Sequence, residues 1–109
     1  MNLHIKDFAM LIGVSVRTLH YYDEIDLLKP AFVDERNGYR FYDEKSLQRM
    51  QEILFYRELD FSLKTIGEIL ASPDYDKQKA LTKQKQLLTL KKERLERLIE
   101  ALEQALPIH

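Results

Sequence analysis

The chain is 109 residues long, 45% hydrophobic and 32% charged, with three Gly, three Pro and no Cys, and its 17 Lys and Arg against 18 Asp and Glu leave a net charge of −1. That length holds one compact domain, or a small domain and one long helix. The balance of charge excludes a uniformly basic coat protein, and the missing thiols exclude a disulfide scaffold, a thiolate metal site and a Cys nucleophile. No apolar run nears the roughly 18–20 residues of a membrane span, and the N-terminus lacks the form of a signal peptide, so a cytoplasmic, mostly helical protein is expected.

Ile5, Phe8, Ala9 and Ile12 repeat at the spacing of an amphipathic helix over residues 5–12. Gly13 and Val14 interrupt it, and Ser15 stands where an N-cap belongs, ahead of a second helix from Val16 to about Glu24. Two short helices joined by a tight Gly-containing turn are the pattern of a helix-turn-helix. From Lys29 the texture changes: Pro30 stops helix, and the runs 31–33 and 39–42 read as short aromatic-rich strands. Asn37-Gly38 between them supplies the positive φ of a hairpin turn. A lone hairpin is marginal in water, so this one must pack on the helices, with its tip projecting as a wing.

Asp43 is the candidate cap of a third helix, Glu44 to about Leu59, with Leu47, Met50 and Leu54 inward. Ser62 caps a fourth, with Leu63, Ile66 and Leu70 on one face, and Pro73 ends it. From Asp74 to about Ala105 there is no Gly or Pro, and about 32 residues of helix span about 48 Å. Leu81, Leu88, Leu95 and Leu102 recur every seven residues, with Leu98 and Ala105 at the matching d positions. Gln84 and Lys91 fill the earlier d positions, so the seam is drier towards its C-terminal end. A small domain cannot cover so long a stripe, which points to a partner chain.

On the second helix, stepping about 100° per residue places Val16 and Leu19 on an inner face and Arg17, Thr18 and Tyr21 on an outer one. Such a face, behind a capped N-terminus, suits a helix entering a DNA groove: Arg can fork onto a guanine edge or a phosphate, and a Tyr hydroxyl can donate to a phosphate. His20 and Asp23 lie near the core side with no nucleophile beside them, which leaves an acid–base reading without support. The three His, at positions 4, 20 and 109, have no metal-ligand spacing, and Asp23-Glu24-Asp26 lacks a calcium loop. No Gly-rich phosphate cradle is present, so neither an enzyme nor a cofactor is expected.

Taken together, residues 3–70 resemble the DNA-binding domain of the MerR family of bacterial transcription regulators. The resemblance runs through Gly13-Val14-Ser15-Val16-Arg17-Thr18-Leu19-His20-Tyr21-Tyr22-Asp23, Leu27-Leu28-Lys29-Pro30, Asn37-Gly38-Tyr39-Arg40-Phe41-Tyr42 and the stretch from Ile53 to Leu63, in that order. The segment from Ser72 to Asp76, together with the long run after it, is most similar to the multidrug-responsive TipA and Mta branch.

The resemblance implies a mainly α fold with a small β-hairpin wing: a winged helix-turn-helix over residues 1–72, followed by a long dimerisation helix over 73–106 that pairs as an antiparallel coiled coil. It implies a homodimer on a palindromic operator in double-stranded DNA, inside an overlong promoter spacer. Bending and untwisting that DNA would then activate RNA polymerase. Carried over by motif, Arg17 and Tyr21 are recognition-helix contacts with Thr18 and Tyr22 as companions; Tyr39 and Arg40 belong to the first wing, and Arg57 precedes a second wing over 57–62. Arg36 falls in the first wing beside them. His20 stands where many relatives carry Arg, so a phosphate contact is not carried over to it. The dimer interface is expected at Leu81, Leu88, Leu95, Leu98, Leu102 and Ala105.

An effector-binding domain comes after the long helix in the TipA and Mta branch, and 109 residues leave no room for one. The chain is therefore expected to be a fragment without its ligand-sensing domain, with a naturally short regulator as the alternative, and in either case to bind no inducer. Residues 1–62 hold eight Lys and Arg against eleven Asp and Glu, a net of −3, so DNA binding needs one basic face rather than a basic domain. The competing expectation is a coiled-coil protein–protein adaptor with a vestigial helix-turn-helix.

Overall fold

The computed structural model describes residues 1–107, and the chain divides into two compact units at Pro73 and Asp74. In the first unit the order is β1 (Leu3–His4), α1 (Ile5–Ile12), α2 (Val16–Glu24), β2 (Phe32–Val33), β3 (Arg40–Tyr42), α3 (Glu44–Glu58) and α4 (Leu63–Ala71). The second unit is α5 (Lys77–Ala105).

Local chemistry sets the helix boundaries. Gly13 ends α1 in the left-handed conformation, φ 76°, and returns its N–H to the Ala9 carbonyl. Ser15, Asp43, Ser62 and Asp76 each accept a backbone N–H three residues on, from Thr18, Ser46, Thr65 and Lys79, and so satisfy donors the helix leaves open. Asp43 and Ser46 exchange these bonds reciprocally. The cap at Asp76 starts α5 three residues later than the Gly- and Pro-free run suggests.

The sheet has a third strand beyond the expected hairpin. Its order is β1-β3-β2, all antiparallel, with Leu3 opposite Tyr42, His4 opposite Phe41, and Phe32 also opposite Phe41. Gly38 takes φ 74° at the wing's turn, as the Asn-Gly pair suggested. Pairing on both sides of β3 fixes a ribbon that two strands alone would leave marginal.

One face of the sheet enters the core. Tyr42 is fully buried and stacks on Phe8 of α1, ring centroids 4.5 Å apart and planes 8° from parallel. Around them lie Ile5, Leu19, Leu27, Leu28, Met50, Ile53, Ile66 and Ile69. Truncating a side chain as enclosed as Phe8 to Ala costs about 3–5 kcal/mol in such a core. The inward face of α3 differs from expectation: Met50, Ile53 and Tyr56 are buried, whereas Leu47 and Leu54 are half-buried. On α4, Ile66 and Ile69 are buried and Leu63 and Leu70 are half-buried. Arg49 ties these layers together, donating from Nε to the Leu27 carbonyl at 3.1 Å and from Nη1 to the Leu70 carbonyl at 3.3 Å.

Candidate nucleic-acid interface

The second helix is held by its cap and by its inner face. Ser15 Oγ accepts the Thr18 N–H at 3.0 Å and lies 2.9 Å from Thr18 Oγ1, while Leu19 is fully buried. What α2 leaves outward is Arg17, exposed, and Tyr21, 49% exposed. Thr18, half-buried, spends its hydroxyl on the cap.

Tyr22 is a correction. Expected from the resemblance as a companion contact to Arg17 and Tyr21, it is only 5% exposed and belongs to the core. Its ring lies one turn beyond Leu19, and its carbonyl accepts the N–H groups of both Leu27 and Leu28, folding two buried leucines back over that side of the helix.

The wing's turn is built on Asp34. Its carbonyl accepts from Gly38 N–H at 2.7 Å, and its N–H donates to the Tyr39 carbonyl at 2.8 Å. Its carboxylate takes the Arg36 guanidinium through both Nε and Nη2, at 3.2 and 3.0 Å. That pairing holds the Asp34 carboxyl below its ordinary pKa and the Arg36 cation above its own. Arg36 lies on the first wing, as expected, but its fork is already closed on a carboxylate.

Tyr39 is exposed and meets the His4 ring edge-on at 5.1 Å. The outer face of the sheet continues as an aromatic row: Phe32 stacks on Phe41 at 4.9 Å, and His4 meets Phe41 edge-on at 5.8 Å. Arg40 points to the other face and reaches Asp23 of α2, Nε to Oδ2 at 3.1 Å.

Lys29 joins the same carboxylate, Nζ to Oδ1 at 2.9 Å, and also pairs with Asp26 at 2.9 Å. The Asp23 carboxyl is held below the usual range, first by the hydrogen bond from Lys29 and then by that from Arg40, against an opposing desolvation. Sequence reasoning passed over Asp23 as a site residue, and no local spacing announces a partner 17 positions away.

The segment expected as a second wing, 57–62, runs from the last turn of α3 through a tight turn into α4. Asp60 takes φ 69°, Phe61 is buried with its ring edge-on to Tyr56 at 5.5 Å, and Ser62 starts α4. Arg57, in the last turn of α3, is exposed. Among the described residues neither Arg17 nor Arg57 carries a salt bridge, so these two cations are unspent.

In the second unit, no residue of α5 is buried. Leu95, Leu98 and Leu102 are 58, 46 and 65% exposed, Leu81 and Ala105 are exposed and Leu88 is half-buried. The described residues contain no group of His, Cys, Asp and Glu able to hold a metal ion, and no helix among them is long and apolar enough to cross a membrane. His109 lies outside the described residues.

Comparison with known proteins gives the same architecture. Residues 3–73 match the family model described as MerR HTH family regulatory protein, and residues 47–106 the model described as MerR, DNA binding. The chain is 42% identical over 106 residues to the HTH-type transcriptional activator mta of Bacillus subtilis, covering 97% of this chain and 41% of that protein. It is 41% identical over 108 residues to the HTH-type transcriptional activator TipA of Streptomyces coelicolor, covering 97% and 42%. The chain thus spans about two fifths of the length of these curated relatives.

Among solved structures, it resembles MtaN, the N-terminus of the Bacillus subtilis multidrug transporter activator, at 41% identity and TM-score 0.85, covering 94% of this chain and 96% of that one. It also resembles HiNmlR, a family regulator lacking the sensor domain and bound to promoter DNA, at 25% identity and TM-score 0.65, covering 96% and 87%.

Proposed function

Since the chain belongs to the MerR family of helix-turn-helix regulatory proteins, we propose that it binds promoter DNA as a homodimer, α2 lying in the major groove and the wing on the flanking backbone. One observation carries this reading: a capped helix presents Arg17 and Tyr21 outward while Leu19 and Tyr22 anchor it in the core. Arg17 reads a base edge or a phosphate, Tyr21 donates to a phosphate, and Arg57 grips the backbone at the α3–α4 turn. Relatives support it by name, being described as transcriptional activators and, for HiNmlR, as bound to promoter DNA.

The dimer forms through α5. Its apolar stripe at Leu81, Leu88, Leu95, Leu98, Leu102 and Ala105 lies open along a 29-residue helix, and an antiparallel copy of the same stripe covers it. Two joined domains then engage two half-sites as one ligand, each raising the effective concentration of the other.

The dimer activates RNA polymerase by bending and untwisting an overlong promoter spacer, a deformation that costs on the order of 1–6 kcal/mol and is met by the added backbone contacts. The work is done in the cytoplasm, where the promoter is.

The adaptor reading draws on one observation, that Lys29, Arg36 and Arg40 are already paired with acids of the same chain. Replacing Arg17 and Tyr21 with Ala separates the two. On a duplex selected from a random library by the unmodified chain, each change lowers affinity by about 1–3 kcal/mol with the dimer intact. Undiminished DNA binding by the double variant contradicts the recognition-helix assignment.

A further inference from the structure

Asp23 closes the last turn of α2 with its side chain 16% exposed, and one carboxylate there serves two cations from different elements. Lys29, from the loop after α2, binds Oδ1, and Arg40, from β3, binds Oδ2. The helix, its adjoining loop and the wing therefore meet at a single group.

How Arg40 is held matters. Arg36 gives Asp34 both Nε and Nη2, which closes its fork, whereas Arg40 gives Asp23 Nε alone. The Nη pair, the edge that grips a phosphate, is outside that bond. Arg40 remains 35% exposed, and the strand that carries it is anchored two residues on by Tyr42 in its stack with Phe8. The Tyr42 hydroxyl is, among the described residues, the one buried side-chain polar atom without a partner. Burial pushes that phenol's pKa up, Asp23 adds to the push and Arg40 opposes it, so the three groups lie in one field. Lys29 decides whether Asp23 acts as a rival of DNA or as a brace. Because Lys29, shared with Asp26, also binds this carboxylate, a phosphate drawing on Arg40 still leaves Asp23 with a cationic partner.

We infer that Asp23 is a positioning residue for DNA binding: by holding Arg40 through Nε it fixes the wing's guanidinium at a set offset from Arg17 and Tyr21, with the Nη edge kept for a backbone phosphate. This rests on the DNA-binding reading above and names a residue that does not itself touch the nucleic acid.

The test is a thermodynamic cycle on the full chain with Asp23→Ala, Arg40→Ala and the double variant, binding the selected duplex across a range of salt. The unfavourable charge removed by Asp23→Ala would by itself tighten DNA binding. Positioning predicts the opposite: affinity falls about tenfold and the salt dependence flattens, as it does for Arg40→Ala, because one phosphate contact per protomer is lost. The double variant is then no weaker than Arg40→Ala alone, and Asp23→Glu, which keeps the carboxylate, recovers part of the loss.

Binding equal to or tighter than the unmodified chain, or losses that add in the double variant, overturns the inference. Where Asp23→Ala loses its helical signal, Asp23→Asn takes its place in the same cycle. An unmodified chain that retains no duplex overturns the DNA-binding reading itself; one that binds while the Asp23 series stays flat overturns this inference alone.

Discussion

Arg40 of the wing and Asp23 of the second helix are joined side chain to side chain at 3.1 Å across 17 residues of sequence. This contact, with Lys29 on the other carboxylate oxygen, makes the position of the wing a property of α2 rather than of the hairpin alone.

That pairing has a pH signature. The Asp23 carboxyl is held low in the folded chain, mainly by Lys29 and Arg40, while in the unfolded chain it titrates near its ordinary value of about 4. A depressed folded value means stability that is present above the unfolded pKa and lost as pH falls through the folded one. Asp34 and Asp43, also held low, act in the same direction. Thermal melts at fixed protein concentration are expected to show little change from pH 7 to 5 and a fall below about pH 4. Asp23→Asn should be less stable than the unmodified chain at pH 7 and converge with it at low pH. Equal melting temperatures at pH 7 would deny the ion pair any net contribution.

Tyr42→Phe should stabilise the fold. It removes a buried hydroxyl that has no partner while keeping the ring stacked on Phe8. An unsatisfied buried polar group costs about 1–3 kcal/mol, so a gain of about 1 kcal/mol in denaturant unfolding is expected. A loss of stability would mean that a water or another group satisfies this oxygen.

Asp60→Gly should also stabilise, by about 0.5–1 kcal/mol, since Asp60 occupies φ 69° in the turn between α3 and α4, where a Cβ is strained. The Asp60 N–H still reaches the Arg57 carbonyl, so the turn keeps its hydrogen bond. An unchanged unfolding midpoint would show that the aspartate offsets its own strain.

Lys at both Leu95 and Leu102 should yield monomers in sedimentation and lower DNA affinity, because two half-sites no longer bind as one ligand. Leu95 and Leu102 are 58 and 65% exposed in the chain by itself, so the monomer should keep its helical signal in the first unit. A variant that stays dimeric would place the seam on another face of α5.

The helices were legible because their ends are written in local chemistry. Ser15, Asp43 and Ser62 lie where the hydrophobic period restarts, and each caps the next helix. β1 was not legible: two residues carry no period, and their partner, Tyr42 for Leu3, lies far along the chain. The inward face of α3 was misjudged because Leu47, Met50, Ile53, Leu54 and Tyr56 mark two adjacent faces, and what packs against them decides between them.

At the site, the outward pair Arg17 and Tyr21 could be read from the helical period, but Tyr22 could not, since the loop that buries it is not periodic. Net charge was silent on the point that mattered most, which cations are spent. Asp34 and Arg36 are two residues apart in a turn and were within reach of local reasoning; Asp23 and Arg40 were not.

The most direct measurement is a gel shift with nuclease footprinting on DNA from just upstream of the chain's own gene, at two salt concentrations, on the unmodified protein. DNA distortion by a bound dimer predicts a salt-sensitive footprint over an inverted repeat within an overlong promoter spacer, with enhanced cleavage at its centre where the duplex is bent and untwisted. A bound duplex that is straight and evenly cleaved would contradict the activation mechanism, and a confirmed dimer that protects no DNA at low salt would contradict the DNA-binding function altogether.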